Sequence, residues 1–199
     1  MSAAIDYYLT PISPYAYLGH ARFAAIAAKH GATVAVKPVD FGQIFPISGG
    51  LPLPKRAPQR QAYRLVELKR WSGFLDLPMN LQPKHFPVPD IAAGRMIVAA
   101  GTSGTDAMGL TGAILRAVWE EERDVSDPAT LADIAGAQGF DAKALLAAVD
   151  APETEARRQA FTEEAIAAQV FGAPTYVIGG ELFWGQDRLD FVDRALAAT

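Results

Sequence analysis

Leu9-Thr10-Pro11-Ile12-Ser13-Pro14-Tyr15-Ala16-Tyr17-Leu18 joins a short apolar run, Ile5-Asp6-Tyr7-Tyr8-Leu9, to a long alanine-rich segment. The run reads as a strand and the segment as a helix. Ser13 is placed as the helix N-cap and Pro14 as the first helical residue, the order that helix starts prefer. A strand, a tight loop and a helix start put Ser13 Oγ where backbone N–H groups point outward and anions are welcome. Most serines before a helical proline are caps and nothing more, so the rest of the chain decides whether Ser13 has chemistry.

Working outward, the helix runs over about 14–29, with Tyr15, Leu18, Ala21, Ala25 and Ala28 at three- and four-residue spacing. Phe23 and Ile26 lie off that face, as in a helix packed on more than one side. Gly31 is the stop signal. Thr33-Val34-Ala35-Val36-Lys37-Pro38-Val39 is a second strand, so the opening is β-α-β with a parallel pair. The stretch 49–58 is too rich in Gly and Pro for regular structure and leaves the sheet as a long loop.

Strand signals then vanish from about 59 to 169. Residues 59–75 read as an amphipathic helix through Tyr63, Val66, Arg70, Trp71 and Phe74, with basic residues on its other side. A Pro-rich interruption at 81–89 follows. Asp90 is positioned to cap a helix reaching residue 100, and a longer helix spans about 105–122. Asp127-Pro128 and Asp141 are further helix starts. Residues 152–169 form the last helix of the block, acidic early and with Phe161 inward. The middle is therefore a helical insertion. Val170-Phe171-Gly172-Ala173-Pro174-Thr175-Tyr176-Val177-Ile178 reads as a returning strand. Gly179-Gly180 is a hairpin turn, and Glu181-Leu182-Phe183-Trp184 is its partner. Gly185-Gln186-Asp187-Arg188 opens a closing helix through Leu189, Phe191, Val192 and Leu196. The order β-α-β, helices, β-β-α defines an α/β protein with a thioredoxin-like core. Residues 1–48 and 170–199 form that core, and 49–169 form the helical insertion.

Composition narrows the function. A net charge of −4 offers no nucleic-acid surface. No apolar run approaches membrane-spanning length, and Met1-Ser2-Ala3-Ala4 runs into Asp6 with no signal-peptide pattern, so the expected address is the cytoplasm. There is no cysteine in 199 residues. Disulfides, cysteine nucleophiles and thiolate metal sites are thereby excluded. No metal is expected, and any thiol chemistry needs a thiol from outside.

Three pieces, Ser13-Pro14-Tyr15, Val170-Phe171-Gly172-Ala173-Pro174-Thr175 and Phe183-Trp184-Gly185-Gln186-Asp187-Arg188, resemble those of the 2-hydroxychromene-2-carboxylate isomerases. These enzymes belong with the kappa-class glutathione transferases and the bacterial disulfide oxidoreductases. The likeness runs essentially end to end. It implies a glutathione-dependent isomerase of aromatic, naphthalene-type catabolism that takes a small aromatic carboxylate and is often a homodimer.

The resemblance also implies roles. Ser13 matches the serine that hydrogen-bonds the glutathione sulfur, where a hydroxyl donor and a helix N-terminus favour thiolate over thiol. Ala173-Pro174 matches a cis-proline whose neighbouring backbone pairs with the cysteinyl part of glutathione. Gln186 and Asp187 match positions that hold the γ-glutamyl end, approached through Trp184 and Gly185. Asp187 is also a candidate cap of the last helix. Arg56 corresponds to a basic residue facing the glycyl carboxylate, and Lys55 to a position near substrate. Two substrate positions depart from the family: Phe45 stands at a lysine and Phe86 at a tyrosine. Lys84 and His85 lie near enough in sequence to Phe86 to replace a positive charge. The glutathione half is intact and the substrate half is altered. Two other readings remain: a kappa-like transferase releasing a stable conjugate, and a non-catalytic thioredoxin-fold module using the Ala173-Pro174 groove for peptides.

Overall fold

The computed structural model describes residues 3–104 and 106–198. Met1 and Ser2, on which part of the leader reading rests, Thr105, the expected start of a helix, and Thr199 lie outside the described residues. Ala4–Leu9 (β1) runs into Pro14–Lys29 (α1), which returns the chain to Thr33–Pro38 (β2). Phe41–Ser48 (α2) follows, and then Pro58–Leu75 (α3), Ile91–Thr102 (α4) and Ala107–Trp119 (α5). Pro128–Ala137 (α6), Ala142–Val149 (α7) and Pro152–Ala167 (α8) complete the helical stretch. Thr175–Ile178 (β3), Glu181–Trp184 (β4) and Leu189–Ala197 (α9) close the chain.

The sheet order is β2-β1-β3-β4, with β1 parallel to β2 and antiparallel to β3, and β3 antiparallel to β4. The α/β, thioredoxin-like architecture expected from the sequence is the one observed. One face of the sheet carries Tyr7, Tyr176 and Phe183 into a large apolar cluster shared with α1, α4, α5 and α9. Tyr7 and Tyr176 stack with ring centroids 5.3 Å apart, and Phe23 of α1 packs against both. The other face sends Tyr8 into a smaller cluster with Val39, Ile44 and Phe161.

Most element boundaries follow local chemistry. Ser13 Oγ accepts from Ala16 N at 3.1 Å with Pro14 in the first turn, and Gly31 leaves α1 at φ +60°. Asp127 and Asp141 cap α6 and α7 as expected.

Three expectations need correction, and one helix carries no reading in the sequence. The returning strand is confined to Thr175–Ile178, because Val170 N is spent closing α8 on Ala165 O and Pro174 has no N–H for a ladder. The helix α2 was not anticipated; Asp40 caps it through Gly42 N at 2.7 Å, despite Pro46 inside it. Asp90 precedes α4 without a side-chain cap bond, its carboxylate accepting instead from Thr10 Oγ1. The helix expected over 105–122 ends at Trp119 and is capped by Asp106.

The stripe expected to be the packed side of α3 is only partly so, with Trp71 packed against the core beside Leu68 and Leu75. Tyr63, Val66 and Phe74 are exposed, whereas Arg64 and Leu68 are buried. In the closing helix Phe191 is likewise exposed, while Leu189, Val192 and Leu196 are inward.

His20 illustrates what burial does to a titrating group. Its Nε2 lies 3.0 Å from Met108 O, a pure acceptor, so Nε2 carries the proton and Nδ1 accepts from Tyr7 Oη at 3.4 Å. Burial lowers the His20 pKa from its ordinary value, against the pull of the Met108 carbonyl. The unfolded chain therefore takes a proton near pH 6.5 that the folded chain refuses. The contribution of His20 to stability is full above that pH and is lost as pH falls below it, at up to about 1.4 kcal/mol per pH unit. Urea midpoints between pH 8 and pH 5 should fall more steeply for the wild type than for His20→Gln. Parallel curves would show that His20 is not held neutral.

Candidate active site

The strand register assembles the site. Tyr8 of β1 pairs with Thr175 of β3, and Thr175 pairs with Trp184 of β4. The chain leaving β1 toward Ser13, the chain entering β3 through Ala173-Pro174 and the chain leaving β4 toward Gln186 therefore meet at one end of the sheet. This is the carboxyl end of the parallel pair, where α/β sheets place ligands.

Ser13 is 6% exposed at the start of α1. Its oxygen accepts from Ala16 N, which leaves its own O–H proton to donate. A group that accepts that proton sits at a helix N-terminus, where negative charge is favoured. The Ala173-Pro174 bond is cis. Gly185 N donates to Pro174 O at 2.9 Å, tying the approach to Gln186 to the proline, and Thr175 Oγ1 donates to Gly172 O at 2.7 Å. Gly172 has no side chain because the Trp184 indole fills the space a Cβ would need. Trp184 itself is half-exposed, its ring 4.8 Å from that of Phe171.

Gln186 is 2% exposed and faces α1. Arg22 donates to its backbone oxygen at 2.5 Å and to its Oε1 at 2.8 Å. Gly19 makes this approach possible, since a Cβ there would lie 2.7 Å from Gln186 Cβ. Gly185 supports the turn at φ +102°. Asp187 is exposed, its carboxylate 2.7 Å from Arg188. It makes no capping bond to the closing helix, so the capping role considered from sequence does not apply.

The basic and substrate candidates are spread more widely. Arg56 ends a short 3₁₀ turn, Leu53–Lys55, and donates to Leu51 O at 2.8 Å. It lies close enough to Tyr15 to act on it: burial pushes the Tyr15 hydroxyl pKa up, and Arg64 and Arg56 oppose the rise. Lys55 is exposed on the same turn. Lys84 and His85 are tied to the segment after α5, Lys84 by its backbone N to Glu122 at 3.1 Å and His85 to Asp124 at 3.7 Å. Phe45 packs on Phe41 at 5.3 Å, beside Gly50. Phe86 packs on Trp119 at 4.7 Å.

Sequence reasoning missed Arg64. It is 9% exposed, with its guanidinium 5.3 Å from the centroid of Phe86 and 5.7 Å from that of Trp119. The signal was present: Arg64, Leu68, Trp71 and Leu75 recur at helical spacing along the packed face of α3. An arginine at the head of such a stripe reads as a surface residue until the rings over it are seen.

Sheet order, cap and proline together define a thioredoxin-fold protein with a serine hydroxyl at the helix start and no thiol of its own. The chain belongs to the DSBA-like thioredoxin domain family, whose family model matches residues 4–197. It is similar to the 2-hydroxychromene-2-carboxylate isomerase of Sphingobium xenophagum, 28% identical over 197 residues that cover 98% of this chain and 99% of the relative. A solved 2-hydroxychromene-2-carboxylate isomerase superposes with a TM-score of 0.83 at 25% identity, covering 98% of this chain and 95% of that one. A shorter likeness, 32% over 80 residues, spans 40% of this chain and 35% of the glutathione S-transferase kappa 1 of Caenorhabditis elegans. The resemblance carried by the three sequence pieces thus holds over nearly the whole chain. Among the described residues no helix is long and apolar enough to cross a membrane.

Proposed function

We propose that the protein is a glutathione-dependent isomerase that converts 2-hydroxychromene-2-carboxylate to trans-o-hydroxybenzylidenepyruvate in aromatic catabolism. The observation that carries this reading is the Ser13 hydroxyl. Its lone pair is taken by Ala16 N and its proton is available to a sulfur, in a chain with no sulfur nucleophile of its own. The relatives matched from end to end are named 2-hydroxychromene-2-carboxylate isomerases, which supports the reaction. When bound, glutathione supplies a thiolate that adds reversibly to the conjugated substrate, so that a double bond becomes single and rotates.

The chain's residues do the rest. Ser13 donates to the sulfur, and the first turn of α1 lowers the energy of its charge. The backbone at Ala173-Pro174 offers an edge for the cysteinyl part. The Asp187 carboxylate suits the γ-glutamyl ammonium, and the Arg56 guanidinium the glycyl carboxylate. Trp184, Gly185 and Gln186 shape that end of the groove. Lys55, Lys84, His85, Phe45 and Phe86 are assigned to the substrate side, with Phe86 as an apolar wall. Segment 49–169 supplies that side as an insertion domain, and 1–48 with 170–199 supplies the glutathione side. The protein acts in the cytoplasm as a homodimer, in which the exposed Tyr63, Val66 and Phe74 of α3 find cover.

Calorimetric titration with glutathione, and with S-methylglutathione as comparison, tests the first half. Saturable binding with proton release is expected for glutathione and no proton release for the methylated analogue; no binding at millimolar concentration would rule the function out. Turnover with glutathione recovered unchanged is expected. Its stoichiometric consumption would favour the transferase reading, which the apolar Phe45 and Phe86 support.

A further inference from the structure

Among the described residues, three cationic side chains are buried: Lys37, Arg64 and Arg158. Lys37 is held by Asp6 at 2.8 Å and Glu164 at 2.6 Å. Arg158 reaches Glu155 at 3.7 Å. Arg64 has no carboxylate and no hydrogen-bond acceptor among the described residues; its guanidinium lies against Phe86 and Trp119, within range of the charges of Tyr15 and of a second cation, Arg56. None of its nitrogens is a sealed, unpartnered atom, so the N–H donors open to solvent, where an anion can reach them. The rings of Phe86 and Trp119 lie against the guanidinium and offer it no hydrogen-bond acceptor. Those faces also leave the edge of the guanidinium, where its N–H donors lie, unmatched. Arg64 is therefore a donor fork in want of an anion.

We propose that Arg64 is the anchor for the carboxylate of the aromatic substrate. The inference rests on the isomerase reading for the identity of the reacting centre. The placement fits that chemistry. α3 packs against α1, the helix that Ser13 caps, and the charge of Arg64 is felt at Tyr15, two residues after Ser13. The half-buried Phe86 and, behind it, the fully buried Trp119 hold the guanidinium in place. A guanidinium in that position takes a carboxylate through two parallel bonds and sets the orientation of the ring attached to it. It also supplies the cation that Phe45 and Phe86 do not, whereas His85 faces Asp124 and Lys84 is exposed. Burial lowers the Arg64 pKa, but an arginine starts so high that its charge persists at neutral pH.

The test uses chromone-2-carboxylate and chromone-2-carboxamide as probes, titrated calorimetrically with and without glutathione. The wild type is expected to prefer the carboxylate by roughly 10- to 100-fold, the range of a charge-assisted pair. Arg64→Gln is expected to bind both probes alike while its glutathione affinity is unchanged, and turnover should show a raised KM for substrate only. Equal affinity for the two probes in the wild type would overturn the proposal, as would a carboxylate preference that survives Arg64→Gln. Loss of glutathione binding with the probe preference intact would also overturn it, by moving Arg64 to the other ligand. Should Arg64→Gln not fold, Arg64→Lys decides: a lysine cannot form the fork, so the preference must fall several-fold, and an unchanged preference rejects the anchor. The glutathione-free arm separates this result from the parent reading, because it holds or fails whether or not glutathione binds.

Discussion

Replacing Ser13 with alanine is expected to raise the thiol pKa of bound glutathione by about 1 to 2 pH units, the equivalent of one charge-assisted hydrogen bond. The sign follows from the geometry. In the proposed complex the hydroxyl donates to the sulfur and stabilises the thiolate, so its loss would return the thiol toward its free value. The ascending limb of the rate–pH profile should move up by the same amount, and turnover near neutral pH should fall by roughly 10- to 100-fold. A second effect accompanies this one. Ser13 Oγ also caps α1 through Ala16 N, so the variant should lose about 1 kcal/mol of folding stability. Ser13→Gly separates the two, since glycine costs only a few tenths of a kcal/mol as a cap and has no side-chain donor. Thiolate absorbance of the bound glutathione is the direct readout. If it is the same in wild type and Ser13→Ala, the serine is only a cap.

Trp119→Ala is expected to be the most destabilising of the changes considered, by about 3 to 5 kcal/mol. Trp119 is fully buried at the end of α5, where its ring supports Phe86 at 4.7 Å and underlies Arg64 at 5.7 Å. Removing it opens a cavity between α3, α5 and the 81–89 segment that those side chains cannot refill. For a chain of this size each kcal/mol lowers Tm by about 2–4 °C, so a fall of roughly 6–20 °C follows. Trp184 is the matched control. It is 50% exposed at the end of β4, and Trp184→Ala should cost less than about 1 kcal/mol. Comparable losses from the two tryptophans in thermal melts would mean that the Phe86–Trp119–Arg64 stack does not hold the helices together.

These predictions divide between what local sequence announces and what it hides. Ser13-Pro14, Asp127-Pro128 and Asp141 reveal helix starts because capping is decided within four residues of chain. Asp90 looks the same in sequence, yet its carboxylate accepts from Thr10, a residue far away in the chain. The stretch 170–174 has the residues of a strand, but Val170 N is taken by α8 and Pro174 offers no N–H. In α3 Tyr63, Val66 and Phe74 face outward, while Arg64 lies inward with Leu68, Trp71 and Leu75, against the rings of Phe86 and Trp119.

By itself, then, the sequence determined the β-α-β and β-β-α ends, the capped serine, the absence of a thiol and the family. Each of these rests on neighbours in the chain or on composition. Tertiary structure alone decided which face of α3 is packed, where Gln186 is held, and which buried cation has no carboxylate beside it among the described residues. The physical reason is that a buried charge is defined by what surrounds it. The groups around Arg64 come from α1, the 81–89 segment and α5, which only folding brings together.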